Sequence, residues 1–136
     1  MVRAYFSIGE AESLLPSLGA LVERAQLLKQ RLERYERVVV KRRVMADGTQ
    51  EFSDFSVGET YDAQLQSLKE AFYSVVERIE SLGCVLRDVE QGIVDFYARF
   101  EGRDVFLCWR LGERKIRFWH EAEDGAAGRK RIIELK

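Results

Sequence analysis

Two runs of apolar residues recur alternately every four and three positions, and this spacing most constrains how the 136-residue chain can fold. A repeat of seven residues places such side chains along one side of a helix, as in helical hairpins and coiled coils. Two helices of this kind in one small chain predict an antiparallel helical hairpin. The first run is Leu14, Leu18, Leu21, Ala25, Leu28, Leu32, Tyr35 and Val39, and the second is Tyr61, Leu65, Leu68, Phe72, Val75, Ile79 and Leu82.

The ends of the helical region carry their own signals. Ser7 and Glu10 have the spacing of a capping box, in which each side chain accepts a hydrogen bond from the other residue's amide. Gly83 follows the second run and suits the left-handed conformation that ends many helices. Pro16 lies inside the first run, and it predicts a kink or brief break near Leu14, so that the long arm begins at Pro16.

The segment between the two runs, near residues 38–58, is interpreted as an insertion at the tip of the helical arms. Val38, Val39 and Val40 are β-branched, and Asp47-Gly48 is a favoured two-residue hairpin turn, so a small β-ribbon is one prediction. A continued helix ending near Val44 is the alternative, and the sequence does not choose between the two.

After Gly83 the apolar period changes from helical to two, which is typical of strands. Alternation predicts strands over residues 93–100, 104–111 and 115–120, with turns at Glu101-Gly102 and Gly112-Glu113-Arg114. The predicted fold class is therefore α+β, a long antiparallel helical hairpin followed by a small three-stranded antiparallel β-meander. A chain of this length fits one domain. It is divided into helical arms at 7–83 and a sheet with a C-terminal tail at 84–136.

Alternation along these strands also assigns residues to two faces of the sheet. In the predicted register, His120 lies on the first face opposite Leu107, whereas Asp95 and Cys108 lie on the second. The first face is expected to form the floor of a core: Val94, Phe96, Val105, Leu107, Trp109, Leu111, Ile116 and Phe118. The second mixes aromatic and charged residues, as pockets and interfaces often do: Asp95, Tyr97, Arg99, Phe106, Cys108, Arg110, Arg117 and Trp119.

Composition limits the partners. Lysine and arginine number 22 and aspartate and glutamate number 23, so no overall charge attracts the chain to nucleic acid or anionic lipid. The N-terminus has no apolar signal core, and no run approaches a membrane span, so no membrane association is expected. Two widely spaced cysteines suit free thiols in a reducing cytoplasm, and a cytoplasmic protein is therefore expected.

The stretch LCWRLGERKIRFWHE, residues 107–121, suggests an anion site. Arg110 and Arg117 are predicted to be cross-strand neighbours beside Trp119, and adjacent cations require a carboxylate or a bound anion between them. Arg129 follows two glycines whose flexible segment could complete such a site. An internal carboxylate that neutralises the arginines is the favoured alternative. For Trp119, plain packing is as well supported as a position lining a site or a subunit contact.

A metal site is considered and not favoured. Asp95, Cys108, Glu113 and His120 include the ligand classes of a divalent transition metal, but no pair has the spacing of a known metal motif. The predicted register separates His120 from Asp95 and Cys108 and denies a cysteine–histidine contact. Cys108, flanked by large apolar residues, is expected to act as an apolar filler. No cofactor is predicted.

Several segments resemble a known family. YFSIGEAESLLP at 5–16, LGCVLRDVEQGIVDF at 82–96 and GRDVFLCWRLGERKIRFWHEAEDGAAGR at 102–129 resemble the uncharacterised prokaryotic family called domain of unknown function 2203. The elements GIVDF, LCWRLGE, WHE and GxxGR occur in order. The resemblance implies a shared fold of helical arms followed by a small sheet, and it implies no catalytic role.

The functional expectation follows from the apolar runs. Arms longer than the sheet leave apolar residues near the tip that a second copy could cover, so a non-enzymatic homodimeric interaction or scaffold module is expected. The predicted dimer seam is Leu28, Leu32, Leu68 and Phe72. An unidentified protein partner is also possible. The alternative is a small-anion or metal-binding protein, conceivably an enzyme, that uses the mixed face of the sheet.

Overall fold

Two long helices precede an antiparallel sheet in a computed structural model, which describes residues 4–49 and 55–135. Helix α1 spans Ile8–Thr49 and helix α2 spans Phe55–Ser81. The predicted capping box is confirmed, because the Glu10 amide donates to Ser7 Oγ at 3.1 Å and the Ser7 amide donates to Glu10 Oε1 at 3.0 Å. Gly83, just beyond α2, has a φ of 99°, which confirms its left-handed role.

Helix α1 is longer and more continuous than predicted. It runs without interruption through Pro16, so the expected break near Leu14 is wrong. Pro16 has no amide hydrogen and so cannot donate a helical hydrogen bond. Packing compensates for this loss, since Leu15 and Leu18 on either side of the proline are buried in the core. The predicted hairpin turn of the β-ribbon is also wrong, because Asp47 and Gly48 lie within α1. Residues 50–54 of the predicted tip lie outside the described residues.

The sheet has five antiparallel strands in sequential order, which confirms the α+β class but corrects the predicted number of three. The two additional strands are the first and the last, and both are short. The strands are β1 at Cys84–Asp88, β2 at Ile93–Phe100, β3 at Arg103–Arg110, β4 at Phe118–Glu121 and β5 at Lys130–Arg131. Two 3-10 turns, Ala126–Gly128 and Ile132–Leu135, flank β5.

The register of β4 differs from the prediction, and this changes the composition of both faces. The predicted strand began at Lys115, whereas β4 begins at Phe118 after a loop that is tied to α1 by a 2.9 Å bond from the Ile116 amide to Glu12 Oε2. As a result Leu107 pairs with Trp119, and His120 pairs with Phe106. The predicted position of His120 opposite Leu107 is therefore wrong.

The core lies between the helices and one face of the sheet. Trp109 belongs to it, as predicted, and donates its indole N–H to the Glu113 carbonyl at 2.8 Å. Trp119 belongs to it as well, whereas Phe118 turns to the opposite face. The buried core consists of Ala11, Leu15, Leu18, Val22, Ala25, Leu28, Val75, Ile79, Cys84, Val94, Phe96, Ala98, Val105, Leu107, Trp109, Ile116 and Trp119.

The residues of the expected dimer seam are covered in part by their own chain. Helices α1 and α2 contact each other. Leu28 is buried in the core, and Leu32, Leu68 and Phe72 are half-buried. Neither helix of the described chain contains a stretch long and apolar enough to cross a membrane.

Candidate metal centre

Three residues with metal-binding side chains meet on the face of the sheet that is turned away from the core. Asp95 on β2 pairs directly with Cys108 on β3. His120 on β4 pairs with Phe106, two residues before Cys108 on β3, so strand alternation puts His120 on the same face as Cys108. Asp95, Cys108 and His120 are each at most 1% exposed. The predicted separation of His120 from Asp95 and Cys108 on opposite faces is therefore wrong.

The donor atoms of the three side chains form a compact cluster. One ligand atom from each of Asp95, Cys108 and His120 can be chosen so that all lie within 4.8 Å of one another. His120 Nε2 is 2.9 Å from Asp95 Oδ2, and His120 Nδ1 is 2.7 Å from the Glu121 carbonyl oxygen. These atoms represent a nitrogen, a thiol sulfur and a carboxylate oxygen, which is a donor set that zinc and related metals accept.

The hydrogen bonds of His120 fix which ring nitrogen faces the cluster. A backbone carbonyl can only accept, so Nδ1 carries a hydrogen and donates to Glu121. Nε2 then points at the Asp95 carboxylate, and a proton must lie between these two atoms when no cation does. A backbone carbonyl that holds one imidazole N–H while the other nitrogen binds metal is a common arrangement at metal sites.

Asp95 is a buried carboxylate with one satisfied and one unsatisfied oxygen. Oδ2 accepts from Arg87 Nε at 2.8 Å and lies against His120. Oδ1 is buried and has no hydrogen-bond partner among the residues that the structure describes. An unsatisfied buried oxygen of this kind costs roughly 1–3 kcal/mol, so it calls for an explanation such as a bound ion or water.

Cys108 is held as a neutral thiol. Burial raises its pKa to about 12, and the neighbouring Asp95 carboxylate adds to the rise. A thiol with such a pKa is a poor nucleophile at neutral pH, which argues against cysteine catalysis. Metal binding is still open to it, since a metal ion displaces the thiol proton directly. Cys84 provides a comparison, because burial raises the pKa of its thiol to about 12 as well. Its thiol donates a hydrogen bond to the Ile79 carbonyl oxygen, the one partner it has among the described residues.

An aromatic and cationic rim surrounds the cluster. The Phe106 ring lies 5.4 Å from the His120 ring and 4.7 Å from the Tyr97 ring, measured between centroids. The Arg87 guanidinium lies 4.8 Å from the Phe106 centroid and is about half exposed. Arg87 therefore extends from the buried Asp95 carboxylate to the solvent-exposed surface.

Glu113 is separate from the cluster. Both of its carboxylate oxygens accept from Arg129 Nη2, at 2.8 and 3.1 Å, and one also accepts from the Arg110 amide at 2.7 Å. Arg129 in addition packs over the Phe118 ring at 4.0 Å. Glu113 is thus the internal carboxylate partner of Arg129 and is not one of the three clustered residues. The pair is nevertheless close to Cys108, since Arg129 Nη2 donates to the Cys108 carbonyl at 3.3 Å and, besides burial, Glu113 contributes to the raised pKa of Cys108.

The predicted anion site is not assembled as expected. Arg110 pairs across the sheet with Ile93 and is exposed, so Arg110 and Arg117 are not cross-strand neighbours. Trp119 faces the core, on the opposite side of the sheet from Arg110. The cause is the register of β4. A longer loop before Phe118 exchanges the faces that Trp119 and His120 occupy.

Sequence reasoning missed Arg87, which holds Asp95. It lies on β1, a strand of five residues that the period-two analysis did not include. The signal available was Cys84-Val85-Leu86-Arg87-Asp88 directly before a turn and a predicted strand, a pattern typical of the first arm of a hairpin.

The donor atoms are close to, but not at, the separations of a zinc site. Bonds of about 2.0 Å to nitrogen and oxygen and about 2.3 Å to sulfur put tetrahedral ligand atoms about 3.3–3.6 Å apart. The three donor atoms lie within 4.8 Å of one another, so small movements of the side chains would be needed to bring them into this range. His120 Nε2 and Asp95 Oδ2 would separate slightly from 2.9 Å as the ion replaces the proton between them.

Comparisons with known proteins identify a family and no close relative. Searches of curated proteins and of solved structures found no match. A family-level comparison matches residues 4–132, nearly the whole chain, to the family described as "Uncharacterized conserved protein (DUF2203)". The chain belongs to this family of uncharacterised conserved proteins.

Proposed function

We propose that this protein binds a divalent transition metal of the zinc class through Asp95, Cys108 and His120. The observation that carries the proposal is the buried cluster of three unlike donor atoms within 4.8 Å of one another. Three protein ligands leave a fourth tetrahedral position for water or another donor, as in sites where zinc also contacts a small molecule. This is the metal-binding alternative of the sequence analysis, and it replaces the expectation that no metal is bound.

Charge balance supports the proposal. A cysteine thiolate and an aspartate carboxylate together neutralise a divalent cation, so the loaded cluster adds no net charge to a buried region. The unsatisfied Asp95 Oδ1 would gain a strong partner in the ion or in a water bound to it. The 2.7 Å bond from His120 Nδ1 to the Glu121 carbonyl already orients Nε2 as the ligand.

The test is metal binding by the purified full chain under reducing conditions. The chain is stripped with a chelator and titrated with Zn²⁺, and a parallel sample receives Co²⁺, whose thiolate charge-transfer absorption reports a cobalt–sulfur bond. The expected result is one ion per chain, a cobalt–thiolate absorption band and a raised melting temperature. A folded chain that binds neither ion would overturn the proposal.

Two cysteine variants form a matched pair for this test. Cys108→Ala removes the proposed ligand, whereas Cys84→Ala removes a thiol that is equally buried but lies on the core face. Cys84→Ala is expected to retain the ion and the cobalt band, and Cys108→Ala is expected to lose the band. Loss of the band in both variants, with both still folded, would contradict the assignment of the ligand.

A second proposal is that two copies of the chain associate through their antiparallel helical hairpins and form a homodimeric scaffold. It is favoured by three large apolar side chains on the arms that their own chain leaves open: Leu27 at 46% exposed, Val38 at 39% and Tyr73 at 62%. Leu28, Leu32, Leu68 and Phe72 would support such an interface from beneath. In an alternative form of this proposal, a different protein rather than a second copy of the chain covers the same residues.

Sedimentation velocity over a range of low concentrations tests the homodimer. The wild type is expected to dimerise, and Leu27→Lys with Tyr73→Lys is expected to yield monomers that remain folded, since both positions are exposed in the single chain. A wild-type chain that remains monomeric at micromolar concentration would rule the dimer out.

A reducing location such as the cytoplasm is part of the metal proposal. Cys84 and Cys108 are both free and buried in the structure, and a reducing compartment would keep the Cys108 sulfur available to a metal.

A further inference from the structure

A second candidate site lies on the other side of Phe118, between the loop that precedes β4 and the segment that follows β5. It is a cavity of about 620 Å³, within the usual size range of small-molecule sites. The two walls are joined by a 2.8 Å hydrogen bond from the Ile132 amide to the Arg117 carbonyl. Phe118 of β4 also pairs with Arg131 of β5, which joins the two walls at a second position.

Positive charge dominates the cavity. Arg114, Lys115, Arg117 and Arg131 line it, and Glu113 is the one acidic residue among its lining residues. Glu113 is already bound by Arg129. None of the four lining cations forms an ion pair with any side chain that the structure describes. Four like charges around one cavity repel one another, and an anion that accepts several hydrogen bonds would offset this repulsion.

The remainder of the lining is apolar. Ile116 is buried at the base, Phe118 and Ile132 are half-buried, and Ile133 is 71% exposed at the margin. Ile133 thus adds exposed apolar surface beside the cationic groups. The cavity therefore offers two kinds of contact to one ligand, namely cationic groups for an anionic head and an apolar surface for an attached body.

We propose that this cavity binds a small molecule that joins a multivalent anionic group, such as a phosphate monoester, to an apolar or aromatic body. The volume favours a small molecule over a macromolecule. The site is independent of the proposed metal centre, because none of Asp95, Cys108 and His120 lines it. This proposal differs from the anion site predicted from the sequence. Arg117 keeps its role, and Arg114, Lys115 and Arg131 replace Arg110, Trp119 and Arg129.

The probe ligands are phenyl phosphate, inorganic phosphate and phenol, titrated calorimetrically into the metal-free full chain at constant ionic strength. We expect phenyl phosphate to bind more tightly than inorganic phosphate, and phenol not to bind measurably. Arg117→Ala and Arg131→Ala are each expected to weaken phenyl phosphate binding about tenfold or more, because each removes a charge-assisted hydrogen bond. Arg110→Ala is the matched control, since Arg110 is exposed at the end of β3 and does not line the cavity.

Three results would overturn the proposal. The first is a wild-type chain that does not bind phenyl phosphate, and the second is binding that is unchanged in both Arg117→Ala and Arg131→Ala. The third is equal affinity for phenyl phosphate and inorganic phosphate, which would remove the apolar part of the assignment.

Discussion

Each of the two faces of the sheet has a buried centre, but the two centres are stabilised in different ways. The core face presents Phe96 and Trp109 to α1 and α2, and its stability comes from apolar packing. The opposite face presents Asp95, Cys108 and His120, which are also almost fully buried. Its groups are polar, so each must find a partner or incur the cost of desolvation.

The difference matters because burial alone does not identify a site. Both faces contain one cysteine whose pKa is raised to about 12 by burial, yet the surroundings of the two sulfurs differ. Cys84 lies among apolar side chains of the core cluster. Cys108 lies beside a carboxylate and an imidazole. The chemical character of the neighbours, rather than the depth, makes one of the two faces a candidate site.

The largest expected effect on stability comes from the core face. Phe96→Ala removes a fully buried ring that packs edge-on against Phe6 at 5.3 Å. The loss of apolar contacts and the resulting cavity are expected to lower the free energy of unfolding by about 3–5 kcal/mol. Urea unfolding followed by circular dichroism measures the change, and a loss below about 1 kcal/mol would show that this face is not the main source of stability.

Asp95→Ala is expected to produce the next largest effect. Removing the carboxylate leaves His120 Nε2 buried without its partner and releases Arg87, so the free energy of unfolding should fall by about 3 kcal/mol in the metal-free chain. Zinc binding should be lost as well. The same urea experiment is repeated with and without Zn²⁺. Stabilisation of Asp95→Ala by Zn²⁺ to the wild-type extent would contradict the role of Asp95 as a ligand.

The sequence predicted those features that depend on local patterns. Period-two alternation identified β2 and β3 and the core position of Trp109, because neighbouring side chains of a strand necessarily lie on opposite faces. The capping box identified the start of α1, since Ser7 and Glu10 interact within one helical turn. These interactions are decided over a few residues and require no knowledge of distant partners.

The metal cluster could not be assembled from the sequence because it depends on a pairing between distant residues. His120 reaches Asp95 only if β4 begins at Phe118, and a strand shifted by one residue turns every side chain to the other face. The shift is set by the loop at residues 111–117, which is held by α1 through Glu12. Arg87 was missed for the same reason, since β1 and β5 are short and are defined by the strands they pair with.

Alkaline pH should destabilise both faces through their buried thiols. Burial raises the pKa of Cys84 and of Cys108 from an ordinary value of 9.0 to about 12, so the folded chain retains two protons that the unfolded chain loses. The free energy of unfolding is therefore unaffected by the thiols below pH 9. As the pH rises from 9 towards 12, it falls by at most about 1.4 kcal/mol per pH unit for each thiol. Urea unfolding of the metal-free chain at pH 8 and pH 10 measures this decline.

The two alanine variants divide that decline between the faces. Cys84→Ala and Cys108→Ala should each show a smaller loss of stability between pH 8 and pH 10 than the wild type, and the two reductions should be similar. A reduction in only one variant would indicate that the other thiol ionises normally in the folded chain, and the faces would then differ in burial as well as in chemistry.

Arg87→Gln is expected to have the smallest effect on stability. It also distinguishes a metal site from a purely structural hydrogen-bond network on the face that carries Asp95, Cys108 and His120. Arg87 is about half exposed but Asp95 is buried, and glutamine can still donate a hydrogen bond, so loss of the charge from this 2.8 Å ion pair should lower the free energy of unfolding by about 1 kcal/mol. Zinc affinity should rise, because a cation that competes for the Asp95 carboxylate has been removed. If the cluster were only a structural hydrogen-bond network, the variant would gain no affinity for Zn²⁺. The calorimetric titration of wild type and Arg87→Gln at one pH therefore decides whether the partner that Asp95 lacks is a metal ion.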